Sequence, residues 1–219
     1  MTLMKTLLAG IALIVVLGIG GLVYRNAVEH PSRPGVCPLD AKVCPDGTSV
    51  ARTGSACDFA ACPAPNVALA DTGLSFALPA GYVADEHAAG ADPTLLGAFV
   101  KPSADAPNTT LIIYRYPIPA SSTALQVIQS TAIADPSGEP VAPTAFSSIT
   151  LGSHHFSVVA IGRFEGVVRR AYYLARANDV LRFDAVDMHV ENWTDPGLDT
   201  SALPANQDLR ALLTTLQGE

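Results

Sequence analysis

Four cysteines stand in one stretch, Cys37, Cys44, Cys57 and Cys62, at the spacing C-x6-C-x12-C-x4-C. Thiolates at such positions can hold a metal or pair with one another. Structural zinc sites usually present two thiolates from one tight turn, as in C-x2-C, and intervals of six and four residues fit that poorly. Two disulfides fit better, because the stretch carries few apolar residues: Leu39, Val43, Val50 and Phe59. So few side chains cannot offset the entropy of ordering the chain unless staples help. Each disulfide contributes about 2–4 kcal/mol. Four cysteines allow three pairings, and spacing alone does not choose among them.

Other chemistry-bearing residues are scattered. His154 and His155 are adjacent; at the start of a strand they point to opposite faces and cannot chelate one metal together. One is expected on the surface and the other partly buried. His30, His87 and His189 stand apart, and there is no H-E-x-x-H. The nearest match to the nucleophile elbow G-x-S-x-G is Gly73-Leu74-Ser75-Phe76-Ala77, which lacks the second glycine and opens a domain. Ser153 with His155, two residues on, is the other serine–histidine pairing that a pocket with an aspartate would turn into hydrolytic chemistry. Asp184, Asp187 and Glu191 form an acidic run without the spaced oxygen ligands of a calcium loop, so a solvated strand edge is expected. Arg163, Arg169, Arg170, Arg176 and Arg182 punctuate the same region. On alternate strand positions they would line one exposed face, opposite Val168, Ala171 and Tyr173, for an acidic partner or simply for water. Asn108-Thr109-Thr110 and Asn192-Trp193-Thr194 fit the glycosylation sequon. The expectation from these residues is no catalytic site, no metal and no cofactor.

The elements that would carry them are mostly strands. Leu74 to Leu78 alternates and is broken by Pro79-Ala80-Gly81. Leu96 to Val100 and Thr109 to Tyr116 follow, each closed by a proline. Ser121 or Ser122 can cap a helix to about Ala134, with Leu125, Ile128 and Ala132 on one face. Four strands then come in succession: Phe146 to Leu151, His155 to Arg163, Val168 to Arg176 and Val180 to Asp187. Tight turns at Phe164–Val167 and Ala177–Asp179 make them antiparallel. A closing helix from about Ala205 carries Leu209, Leu212, Leu213 and Leu216 as one apolar stripe. Strands in runs with helices laid on them make an α+β fold, an antiparallel sheet with packed helices.

The N-terminus is of another kind. Thr6 to Tyr24 holds 19 residues without a charge, about 28 Å as a helix against a hydrocarbon core of about 30 Å. Tyr24 and Arg25 follow as at a membrane interface, and no Ala-x-Ala cleavage site appears. Residues 1–25 are therefore expected to be a single transmembrane anchor. Residues 26–66 would be a tether and Cys-rich module, with a turn at Pro45-Asp46-Gly47 and a Pro-rich joint at Pro63–Asn66, and 67–219 an extracytoplasmic α+β domain. Cysteine pairing suits an oxidising compartment, which puts the C-terminal part outside. Setting aside Lys5 and Arg25, 11 basic residues face 20 acidic ones, a charge near −9. That excludes nucleic acid and anionic lipid surfaces as natural partners.

Two stretches carry resemblances. TGLSFALPAGY, Thr72 to Tyr82, resembles the opening of PsbP-like, Mog1-type α/β/α domains, where a strand runs into a Pro–aromatic turn. VLRFDAVDMHVENW, Val180 to Trp193, with LRALLTTLQ, Leu209 to Gln217, resembles the last strand and closing helix of that group. The resemblance spans about Leu69 to Glu219. It implies a non-enzymatic accessory, binding or assembly role, with no catalytic residue to carry over. The cysteine stretch is similar to a short module of bacterial exported proteins. Around Val43-Cys44-Pro45-Asp46-Gly47-Thr48 it also resembles Kazal-type protease inhibitors, but six cysteines and a tyrosine after the Asp-Gly turn are missing. The expected function is a non-catalytic, membrane-anchored protein of the cell envelope that binds a protein partner. A protease inhibitor or an unrecognised hydrolase is the alternative.

Overall fold

The computed structural model describes residues 17–22, 24–25, 37–44, 49–62, 64–86, 92–102 and 109–218. The chain divides into two compact units, Met1–Ala41 with Ala51–Ala60, and Lys42–Val50 with Ala61–Glu219.

Residues 17–22 and 24–25 are helical, and Leu17, Ile19, Leu22 and Tyr24 are exposed. Among the described residues no helix is long and apolar enough to cross a membrane. Most of the expected span Thr6–Tyr24 lies outside the described residues, as do the whole turn at Pro45-Asp46-Gly47 and Pro63 of the joint.

Three short strands follow, β1 (Ala41–Val43), β2 (Ser49–Thr53) and β3 (Asp58–Phe59), in the sheet order β1-β2-β3. β2 and β3 pair antiparallel, Arg52 opposite Phe59. Arg52 Nε donates to Asp40 at 2.8 Å, and its guanidinium lies 4.0 Å from the centre of the Phe59 ring. The pairing left open by spacing is Cys37–Cys57 and Cys44–Cys62. Among the described residues from 37 to 62 only Cys44 is buried. The stretch therefore has almost no core of its own, and the staples hold it.

Next along the chain comes a two-stranded ribbon, β4 (Val67–Ala68) against β5 (Ser75–Phe76). The expected strand at Leu74–Leu78 thus shrinks to two residues. Beyond Phe76, backbone groups go to side chains instead: Ala77 N–H donates to Thr215 and Leu78 N–H to Asn66.

The main sheet has seven strands: β6 (Val83–Ala84), β7 (Leu95–Lys101), β8 (Thr109–Pro117), β9 (Ser147–Leu151), β10 (His154–Phe164), β11 (Val167–Ala175) and β12 (Asp179–Asp187). The order is β6-β7-β8-β12-β11-β10-β9, and every neighbouring pair is antiparallel. The last four strands meander, and β12 returns beside β8, so it lies in the centre. Between β10 and β11, Glu165 and Gly166 both take positive φ, 49° and 79°. That is the turn whose twist suits a two-residue hairpin.

Both faces of this sheet are covered. On one, α2 (Pro204–Thr214) packs Leu209, Leu212 and Leu213 against Phe156, Tyr172, Phe183 and Leu111. On the other, α1 (Ala124–Thr131) packs Val127 and Ile128 against Val159, Ile161, Ala171 and Tyr173. Each such side chain, fully buried, stabilises by about 1.5–3 kcal/mol. Both helices depart in detail from the expectation. Thr123, not Ser121 or Ser122, caps α1, in a reciprocal box with Gln126. Leu125 is exposed, and Val127 takes the inward place, so the stripe is Val127, Ile128 and Ala132. α2 has no capping side chain of its own; Asp187, at the end of β12, accepts from Ala205 N–H at 2.9 Å.

Because β12 is central, all nine of its residues are buried. This overturns the solvated edge expected for Asp184 and Asp187, which are 0% and 5% exposed. The single exposed arginine face is overturned too. Arg169 and Arg170 are neighbours on one strand and point to opposite faces. Arg170 reaches Thr200, and Arg169 lies 3.4 Å from Asp135. Arg182 is buried, and Arg163 donates to the carbonyls of Asp195 and Leu198.

Candidate functional site

At one end of the central strands a cleft of about 720 Å³ opens between Arg115, Ser153, His154, Leu174–Asp179 and Gly218. Its volume falls in the range of small-molecule sites. Arg115 comes from β8, across from Leu181 of β12. Asp179 is the first residue of β12, and Arg176 and Asn178 belong to the turn that feeds it. His154 opens β10. These residues from three strands and one turn thus converge on one cleft.

Asp179 is the anchor, 2% exposed. Arg115 Nε donates to its Oδ2 at 2.7 Å. Arg176 Nε lies 3.1 Å from its Oδ1, an ion-pair contact without hydrogen-bond alignment. Arg176 Nη1 also donates to the Thr72 carbonyl at 2.8 Å. One buried carboxylate therefore holds two guanidinium planes at the cleft wall.

On the opposite side, His154 Nε2 lies 3.0 Å from the Gly218 carbonyl oxygen, and Nδ1 lies 3.2 Å from Ser153 Oγ. A carbonyl only accepts, so Nε2 carries a proton, and in the neutral imidazole Nδ1 then accepts from the serine. This is a hydroxyl on a base, half of a nucleophile pair. The group that orients the base is a backbone carbonyl, while Asp179 is engaged by the two arginines. His155, the histidine paired with Ser153 in the sequence, is exposed and contacts Thr150 instead.

The remaining sequence candidates lie elsewhere. Ser75 is in β5 and pairs with Gln217, a ribbon position and not an elbow. Among the described residues no three His, Cys, Asp or Glu side chains come together as a metal site would require. Asn192 and Thr194 of one sequon are exposed in a turn, whereas Asn108 of the other lies outside the described residues.

Arg182 and Asp184 form a buried fork on the α1 face, with both donor distances 2.6 Å, and Arg182 Nη1 donates to the Thr131 carbonyl. Burial works against the charge on Arg182, but Asp184 overcomes it and holds the guanidinium protonated. Burial likewise pushes the Asp184 carboxyl up, with Arg182 pulling it back. The pair belongs to the core, since the guanidinium also lies 5.6 and 5.8 Å from the Tyr114 and Tyr173 ring centres.

Arg115 and Asp179 escaped the sequence reading. Arg115 interrupts the apolar run TTLIIYRY, and Asp179 sits in a turn that any acidic residue suits. A charge inside an otherwise apolar and aromatic run, with an acidic residue at a strand start far along the chain, was the available signal. It needed the β8–β12 pairing to become a site.

No protein-family model matches the chain, and no curated protein does. Solved structures similar to it include these two. One is a crystal structure of a protein from Bacteroides thetaiotaomicron, with TM-score 0.40 and 10% identity over 67% of this chain; the match spans only 45% of that protein's length. The other is the solution structure of cyanobacterial PsbP (CyanoP) from Synechocystis sp. PCC 6803, with TM-score 0.39 and 16% identity, covering 66% of this chain and 86% of that one. Neither likeness is close enough to assign the domain to a family.

Proposed function

We propose that this chain is a membrane-anchored protein of the cell envelope, single-pass through Thr6–Tyr24, with a PsbP-like C-terminal domain outside the cytoplasm that binds a protein partner and does no catalysis. The pairing of all four cysteines into two disulfides, directly after an uncharged run of membrane length, carries this reading. Disulfides of this kind persist where the surroundings are oxidising. The acidic balance supports a protein partner with a basic patch over nucleic acid. What supports the PsbP-like part is the resemblance at Thr72–Tyr82 and Val180–Trp193 together with a helix on each face of one sheet.

The test is a topology experiment on the full-length chain in an exporting host. Cell fractions are treated with a membrane-impermeant maleimide before and after reduction, and the outer surface with protease. The expected result is recovery in the membrane fraction, no thiol labelling until reduction, and cleavage from outside. A chain found in the soluble cytoplasmic fraction with four reactive thiols sinks the proposal. A specific partner captured by crosslinking in the native host is expected in addition.

The Ser153–His154 contact favours a second, hydrolytic reading. Ester hydrolysis by the purified chain that is abolished by Ser153→Ala would establish it, and an absence of turnover would remove it.

A further inference from the structure

We propose that the cleft at Arg115, Arg176 and Asn178 is a binding site for a small organic monocarboxylate, a ligand additional to the protein partner and independent of the membrane reading. Charge supports it first. The chain carries −7 overall, yet among the described residues lining this cleft two guanidinium groups stand against one carboxylate, a local excess of one positive charge. One surplus charge matches a monoanion. A phosphate dianion would arrive with one charge uncompensated.

Geometry supports it next. Asp179 holds Arg115 by Nε alone, and Thr72 takes Arg176 by Nη1. Among the described residues, Arg115 Nη1 and Nη2 and Arg176 Nη2 donate no hydrogen bond. These donors sit on planes already fixed from behind by a buried group, so little side-chain entropy remains to be lost on binding. A planar fork is the donor arrangement that meets a carboxylate with two parallel bonds. The arginines are one-fifth to one-third exposed, 21% for Arg176 and 33% for Arg115, so a ligand can reach them. The rest of the wall suits the body of such a ligand. Leu174, Ala175 and Ala177 offer short apolar surface, and Ser153 and Asn178 offer neutral polar groups. Asp179 acts here as a positioning residue and does not touch the ligand.

The test uses the full-length chain in detergent at low ionic strength. Benzoate is titrated calorimetrically, with benzyl alcohol and inorganic phosphate as comparison probes. Saturable binding of benzoate is expected, weaker binding of phosphate, and none of the alcohol. Arg115→Gln and Arg176→Gln are each expected to weaken benzoate binding about tenfold or more, the loss of one charge-assisted fork. Either substitution leaves Asp179 with one partner and can disturb the fold. The unaltered protein is therefore also treated with phenylglyoxal, where benzoate should slow modification of Arg115 and Arg176 and leave half-buried Arg210, outside the cleft, unaffected. An absence of saturation, phosphate bound as tightly as benzoate, or arginine modification indifferent to benzoate would each overturn the proposal.

Discussion

Tyr173 is 1% exposed, and its hydroxyl has no hydrogen-bond partner among the described residues. A buried hydroxyl without a partner carries an unreturned desolvation penalty of about 1–3 kcal/mol. Its ring packs near Phe146 and under the Arg182 guanidinium, and phenylalanine would keep both contacts. Tyr173→Phe is therefore expected to raise stability in urea unfolding by about 1 kcal/mol. Burial also pushes the Tyr173 hydroxyl up to about 12, with the Arg182 charge working the other way. A folded-state value above the unfolded one favours the neutral group. The advantage is whole below the ordinary tyrosine range and is lost as pH rises through the raised value. Tyr82, Tyr114, Tyr116 and Tyr172 are raised by burial too, so both chains should lose stability there, the wild type by more than Tyr173→Phe. A variant less stable than wild type near neutral pH would mean that the hydroxyl has a partner after all, the Thr131 hydroxyl being the first candidate. The same scale explains why charged residues misled the sequence reading. Arg182 and Asp184 flank apolar residues in LRFDAVD, and period-two alternation alone places them on the wet face of a half-buried strand. What buries them is α1 on that face, a long-range fact.

At the scale of elements, strand identity was legible because β-branched and aromatic runs ended at prolines and glycines. The Thr109–Tyr116 expectation differs from β8 by one residue, and the closing leucine stripe is the buried face of α2. Strand order was less legible, because β8 and β12 are separated by more than sixty residues and nothing local announces their pairing. The candidate cleft depends on that pairing. Glycine positions follow the same division. Gly162 lies where β10 shifts register and takes a parallel bridge to Asp135, and an added Cβ would strike the Asp135 backbone. The α2 N-terminus makes a second case. Its cap is Asp187, from a strand eighteen residues earlier. Burial raises the Asp187 carboxyl, and the Ala205 N–H pulls it down by less. A raised folded-state value means that the native chain holds the proton more tightly than the unfolded one. That contribution is complete below the ordinary carboxylate range and is lost as pH rises through the raised value. Asp187→Asn keeps the accepting oxygen and removes the ionisation. Denaturant unfolding across mildly acidic to neutral pH should show the variant gaining on wild type as pH rises. If wild type gains instead, the helix N-terminus outweighs burial at this site.

For the whole molecule, the two ways of holding a chain together are segregated along the sequence. From Val67 onward an extensive apolar core lies on each face of one sheet, enough for a domain of about 150 residues to bury roughly two-thirds of its surface. From Cys37 to Cys62 only Cys44 is buried among the described residues, and two bridges closing 20 and 18 residues take the place of a core. Reduction should therefore act on one region and spare the other. Under a reducing agent at neutral pH, protease sites at Lys42 and Arg52 should open, since about 2–4 kcal/mol per bridge is withdrawn from a stretch with almost no apolar core among its described residues. The near-UV circular dichroism of the core aromatics, Tyr172, Tyr173, Phe156 and Phe183, should persist, together with one cooperative unfolding transition. Limited proteolysis and the aromatic signal, followed in the same sample, separate the outcomes. Loss of the aromatic signal on reduction would mean that the seven-stranded sheet leans on the disulfides as well, and that burial in the larger unit is insufficient to hold it.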